Sequence, residues 1–256
     1  MSKLRSLTPV VGIGVLAAVA MASAQSQPAA KATAAVTELV ALQTVKTTNL
    51  EGAVSGLWTT ILSQQIKMAN QKDLFITPAL ECGNYTDTTV RSKDAVIDSS
   101  TAVSAVRVRV VIDPATRGAG VGPGPGGSYA LPDNGLAFEG SPGSGVDGAG
   151  VTYCSRLQTL SAALQGVLSC PAGAAIPTEC TTTPEEIGML LNTLTANAFN
   201  FVAPDLTAGV HVVEVQAIGV VDARAISGSA KARAFAGAGA VTIEAVRMIK
   251  GEQVEF

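Results

Sequence analysis

The fold is decided by Asp205-Leu-Thr-Ala-Gly209, Val210-His-Val-Val-Glu-Val-Gln-Ala217, Lys231-Ala-Arg-Ala-Phe235 and Ala240-Val-Thr-Ile-Glu-Ala-Val-Arg-Met-Ile-Lys250. These are short β-branched runs separated by small-residue turns, one at Gly228 and one of Gly and Ala after Phe235. Strands of that length, punctuated by glycine, pack as antiparallel sheets in a sandwich. The reading is therefore an all-β, antiparallel jelly-roll-like β-sandwich, with one or two short inserted helices and a long Gly/Pro-rich loop.

Outward from that stretch, Val103 to Asp113 alternates most cleanly: Val106, Val108 and Val110 against Arg107 and Arg109. One face is expected in the core and the arginines on a solvated outer face, which is the usual use of charge on antiparallel strands. Leu57 to Lys67 and Asp73 to Glu81 read as strands. Pro78, which lacks a backbone donor, marks the second as an edge strand or a bulge. Val151 to Leu160 is another strand, and Ser161 to Leu168 turns helical. Thr183-Pro184-Glu185-Glu186 has the form of a helix start, with Ile187, Leu190, Leu191 and Leu194 as the buried stripe. Ala198 to Ala203 resumes extended chain. Arg117 to Gly150 holds 12 of the 26 glycines. Such a segment buries too little side chain to offset its ordering entropy, so a mobile surface loop (115–150) is expected, dispensable for folding.

At the other end, Lys3 and Arg5 precede the apolar run Val10 to Met21 and then Ala22-Ser23-Ala24. Charge, core and small-residue site make 1–24 a secretory signal peptide, with the mature chain starting at Gln25. The competing reading, an uncleaved anchor, is opposed by a core short for a bilayer. Residues 25–52 read as a flexible segment, with strand or helix open for Ala35 to Thr48, and 53–256 as the sandwich domain. The expected location is secreted or extracellular, or else the periplasm or cell surface. No later run is long and apolar enough to span a membrane as a helix, and three Tyr with one Trp are too few for the aromatic girdles of an outer-membrane barrel. A net charge of −3 with scattered basic residues argues against nucleic acid as a partner.

Four cysteines behind a leader favour two disulfides over metal, because no paired Cys-x-x-Cys occurs and there is one histidine. Of three pairings, Cys170–Cys180 closing a short loop with Cys82–Cys154 tying distant segments is preferred. Asn84-Tyr85-Thr86 is a glycosylation sequon, meaningful in a eukaryotic source. Asp133, Glu139 and Asp147 lack the close spacing of a calcium loop.

Leu206-Thr-Ala-Gly209 followed by Val210-His211-Val-Val-Glu-Val-Gln216, a small-residue strand and a closing strand from Ala240 resembles the last strands of jelly-roll modules. Tumour-necrosis-factor-like and complement-type globular heads, and phage-tail or bacterial surface jelly rolls, end similarly. Asn70 to Phe75, Gln158 to Ser161, Pro184 to Ile187, Asn197 to Phe201 and Val246 to Lys250 are similar to segments of secreted prokaryotic proteins. The resemblance spans roughly Gly56 to Lys250 and implies a fold rather than an activity.

Chemistry is sparse. His211 has no Gly-x-Ser-x-Gly elbow to serve; Ser128 and Ser227 each miss a glycine, and a structural histidine is expected. Glu81, Asp87, Glu214 and Glu244 could supply a glycosidase pair, but aromatic residues are few and Glu214 and Glu244 are expected to point outward. No metal or cofactor is implied. The expectation is a secreted, non-catalytic sandwich with a structural, adhesive or assembly role, its partner a second copy or the extracellular matrix. The alternatives are a glycan-binding module, with Trp58 and Tyr85 as ligand contacts, and an acidic-pair hydrolase.

Overall fold

The computed structural model describes residues 30–36, 38, 40–46, 58–132, 150–172 and 180–247. Fifteen strands run in chain order among them: β1 (Lys31–Val36), β2 (Val40–Ala41), β3 (Thr44–Lys46), β4 (Thr59–Met68), β5 (Lys72–Ser92), β6 (Ile97–Pro114), β7 (Pro123–Tyr129) and β8 (Leu131–Pro132). They continue as β9 (Val151–Ala163), β10 (Val167–Ser169), β11 (Thr181–Thr183), β12 (Glu185–Ala198), β13 (Phe201–Leu206), β14 (Gly209–Ala225) and β15 (Ser229–Val246). The first large sheet has β1, β15, β5 and then β12 and β13 end to end. The second has β4, β14, β6 and β9. All these neighbours are antiparallel, and the order is that of an eight-stranded jelly roll, so the all-β sandwich reading holds. The small β3 joins β14 in parallel, and β10 with β11 form a separate ribbon.

Alternation builds the interior. Even-numbered residues of β5 and β6 face inward; Leu74, Ile76, Leu80, Val106, Val108, Val110 and Ile112 meet Val213, Val215 and Ile243 there, all buried. Towards the β5–β6 turn this lining becomes hydroxyl and amide: Asn84, Thr86, Thr88, Ser100, Ser104 and Gln158 are buried instead. Each finds a partner across the gap. Ser104 donates to Asn84 Oδ1 at 2.8 Å, Gln158 Nε2 to Thr88 at 2.6 Å and Ser100 to the Ser229 carbonyl at 2.7 Å, while Thr86 donates to Gln158 Oε1. Buried polar groups paired in this way avoid the desolvation cost of lone ones.

Several expectations need correction. The helix expected after Pro184 is β12, because its backbone bonds are supplied by 14 register pairs with β5, from Glu185↔Ser92 to Ala198↔Ala79. Its supposed buried stripe is largely outside, with Leu190 61% and Leu194 55% exposed. Ser161 to Leu168 is likewise extended, ending β9 and entering β10, and no helix occurs among the described residues. Arg107 and Arg109 are not solvated but buried, because the outer face of the second sheet is roofed over. That roof includes part of the Gly-rich segment: 117–120 form a turn, β7 pairs with β6 and β8 with β13, while 133–149 lies outside the described residues.

Pro78 belongs to a central strand, not an edge. Its missing donor is tolerated because Phe199 and Asn200, opposite Pro78 and Thr77, are the break between β12 and β13. The Gly/Ala turn after Phe235 is a bulge inside β15, where Gly237 and Ala238 face Glu81 alone. The flexible segment expected from Gln25 meets β1, which is already paired to β15 at Lys31. The sequon asparagine, Asn84, is buried between the sheets rather than on a loop. Residues 1–24, read as a signal peptide, and the Asp133, Glu139 and Asp147 carboxylates lie outside the described residues.

Candidate functional site

Trp58 and Tyr85 are not brought together. Trp58 is 3% exposed, packed with Ala105, Ile218 and Val220 on the outer face of the second sheet. Tyr85 lies on the outward-facing row of β5 in the other sheet. The Trp58 ring covers Arg109, whose guanidinium carbon is 4.3 Å from the ring centroid, with Tyr129 at 5.3 Å on β7. Arg109 Nε donates to Gln216 Oε1 at 2.9 Å, and its Nη2 to the Gly120 carbonyl at 3.3 Å. Gln216 in turn donates to Glu214 Oε2 at 3.0 Å and to the Val121 carbonyl at 2.9 Å. Glu214 also accepts from Thr60 at 3.1 Å and the Gly118 N–H at 2.6 Å. Contrary to expectation, then, Glu214 is fully buried. Burial pushes the Arg109 guanidinium down to about 10, still charged at neutral pH. The arrangement is a clamp. A cation and an anion, bridged by one amide, hold the glycine-rich segment onto the sheet through its backbone, which polar groups alone could not do in water.

Gly120 is necessary to it. It sits at φ +67°, and a methyl group there would fall 1.6 Å from the Trp58 carbonyl oxygen.

His211 takes a structural place. Its Nδ1 lies 2.7 Å from Asp113 Oδ2 and its Nε2 2.9 Å from the Thr207 carbonyl, so both ring nitrogens are engaged. Asp113 also accepts the Val212 N–H at 2.8 Å, joining the end of β6 to the start of β14. The other candidate carboxylates are scattered. Glu81 and Asp87 are six residues apart on one strand, roughly 20 Å at the strand rise. Glu244, opposite Phe75, is a similar distance from Glu81 and binds Lys31 at 2.7 Å. Asp87 lies 3.9 Å from Lys231. A glycosidase pair needs about 5–10 Å, and none of these meets it. Both disulfides are present in the preferred pairing. Cys82–Cys154 ties β5 to β9 across the two sheets, and Cys170–Cys180 lies beyond the β10–β11 ribbon. They fit an oxidising compartment.

What the structure leaves open is the outer edge of β12. Among the described residues β12 pairs with β5 alone. Its edge is bounded at one end by Pro184 and at the other by β8, which closes the edge of β13 at Phe201 and Val202. Between them Ile187, Met189, Leu190 and Leu194 are 46, 43, 61 and 55% exposed. Leu190 and Leu194 stand on the outward face beside Asp87 and Gly83, and the Phe235 ring covers Gly83. Tyr85 lies between them, opposite Asn192. The inner side of β12 is stitched to β9 by Gln158 Nε2 to the Met189 carbonyl at 2.7 Å, Asn197 Nδ2 to the Tyr153 carbonyl at 2.6 Å, and Arg156 to Thr193.

Edge strands ordinarily carry lysine, proline or a bulge that blocks further pairing. Here no charged residue occurs from Ile187 to Pro204. That uncharged run was the available sequence signal, and the helical spacing of its leucines concealed it. No protein-family model, curated protein or solved structure matches the chain.

Proposed function

We propose that this is a secreted, non-catalytic jelly-roll protein whose role at the cell exterior is structural, carried by assembly through its sheet edge. The observation that supports it is β12: a fourteen-residue strand, uncharged after Glu186, open along one side among the described residues and held on the other by β5 and by the side-chain bonds to β9. Such an edge offers main-chain donors and acceptors with apolar side chains above them, which is a means of joining chains and not of turning over a substrate. The engagement of both His211 nitrogens and the wide spacing of the outer carboxylates agree with this reading. The two disulfides and the charged, apolar, small-residue order of the first 24 residues agree with export.

The test has two parts. The full chain, expressed in its own host, is expected outside the inner membrane with a mature N-terminus at Gln25. The purified mature protein is expected to be silent towards ester, peptide and glycoside substrates. Turnover that disappears in His211→Ala or Glu214→Gln would overturn the non-catalytic reading, and retention of Met1 in the cytoplasm would overturn export.

A further inference from the structure

The outward face of β12 reads, along alternate residues, Gly188, Leu190, Asn192, Leu194, Ala196. That row is the same from either end: small, leucine, asparagine, leucine, small. From this palindrome we infer that the occupant of the β12 edge is the β12 edge of a second copy, paired antiparallel about a two-fold axis through Asn192. The inference rests on the assembly role proposed above and specifies its geometry.

A two-fold contact brings one patch against itself, so a residue and its opposite must suit each other in both directions. Pairing about Asn192 sets residue i against residue 384 − i of the second copy. Leu190 then lies opposite Leu194 and Leu194 opposite Leu190, two apolar cross-strand pairs flanking an asparagine pair. Gly188 meets Ala196, and Glu186 meets Ala198. The pairing runs from 186 to 198, nearly the whole open edge, because Pro184 ends the ladder on one side and β8 on the other.

Charge favours the same orientation. The acidic residues Glu185 and Glu186 sit at one end of the strand only. Antiparallel pairing sends them to opposite ends of the joint, whereas a parallel pair would place them side by side. Glu185 is also turned back, accepting the Gly166 N–H at 3.0 Å. A slip of one residue would set the outward row of one copy against the inward row of the other, and a slip of two would set Leu190 against Asn192, so the leucine pairs define the register. The product is closed. Each copy uses its only β12, the first sheets of two sandwiches become one continuous sheet, and growth stops at two.

The experiment is light scattering of the disulfide-intact mature protein with charge variants at these exposed positions. The native chain is expected at twice the mass of one chain. Leu190→Lys alone and Leu194→Glu alone are each expected at the mass of one chain, with a native near-ultraviolet circular dichroism spectrum and a cooperative thermal transition that, unlike that of the native dimer, does not move with protein concentration. Mixing the two variants is expected to restore the doubled mass, because position 190 of one copy then sets lysine against glutamate at 194 of the other, and the remaining pair is Leu194 against Leu190. A native chain that stays at single mass up to millimolar concentration overturns both this inference and the self-assembly on which it rests. A native oligomer that both variants leave intact overturns the β12 joint alone, and assembly by another surface stands. Monomeric variants that fail to recombine on mixing overturn the register.

Discussion

At the scale of single residues, two positions carry measurable consequences. The turn from β5 to β6 places Asp94 and Ala95 at φ +57° and +58°, with the Val96 N–H donating to the Lys93 carbonyl at 3.1 Å. Both central residues are left-handed, as a tight hairpin of this hand requires, but alanine pays a steric penalty there of roughly 1–2 kcal/mol. Glycine removes that penalty and adds unfolded-state entropy worth about 0.5–1 kcal/mol. Ala95→Gly is therefore expected to stabilise by about 0.5–1 kcal/mol, seen as a rise of about 2 °C in Tm.

His211 gives a pH signature. Burial pulls its pKa down, but the Thr207 carbonyl and the Asp113 carboxylate outweigh this and hold it above the ordinary value of 6.5. The folded state thus binds the proton more tightly than the unfolded one. Its contribution is complete below pH about 6.5 and is lost as pH rises through the folded-state pKa. Denaturant unfolding should show native stability falling across that window, with the slope reduced in His211→Gln. Equal slopes would mean the proton is not shared in this way.

At the scale of elements, the glycine-rich segment is the clearest departure from composition. Low side-chain content predicts poor burial, and Arg117 to Gly150 has it. What holds 117–132 is backbone: the Gly118 N–H and the Gly120 and Val121 carbonyls answer to Glu214, Arg109 and Gln216. Replacing 117–132 with a Gly/Ser linker strips those partners and leaves a buried cation and anion facing water-filled space. We expect the loss of several kcal/mol and a Tm lower by roughly 10 °C, where a purely solvated loop would leave Tm nearly unchanged. The strands were legible because period-two alternation is a one-body signal: Val106, Val108 and Val110 announce a core face wherever the chain goes. The arginines between them do not, because a roof from Trp58 and β7, distant in sequence, decides whether Arg109 meets solvent. The β12 segment failed for a related reason. Pro184-Glu185-Glu186 with leucines three and four apart satisfies a helix locally, and only the facing length of β5 selects the strand, a tertiary preference that propensity does not contain.

At the scale of the whole molecule, the sandwich is joined by connections that pass from one sheet to the other, such as the β5–β6 turn, and by one covalent tie. Cys82 and Cys154 are 72 residues apart with 6.3 Å between their α-carbons, and Cys170 and Cys180 are 10 apart. Loop-closure entropy then assigns about 4 kcal/mol to the first and about 3 kcal/mol to the second. Cys82→Ser with Cys154→Ser should accordingly lower the denaturant midpoint more than Cys170→Ser with Cys180→Ser. The reverse order would mean that the β10–β11 ribbon anchors the first sheet more firmly than the long tie does. Even the pairing was within reach of the sequence. Its spatial meaning, a stitch between sheets, was not, since it depends on β5 and β9 lying across from each other.

The graded interior has a thermal consequence. Apolar burial loses strength on cooling because its driving force near room temperature is entropic, whereas the hydroxyl and amide contacts around Asn84, Thr88 and Gln158 do not share that dependence. The two ends of the sandwich therefore belong to different thermometers. Near freezing, the end lined by Leu74 and Val110 should exchange its amide protons relatively faster than at room temperature, while the end at Ser100 and Ser104 keeps its protection; in warmth the order reverses. In a molecule built this way the two ends of the sandwich soften at opposite ends of the temperature scale.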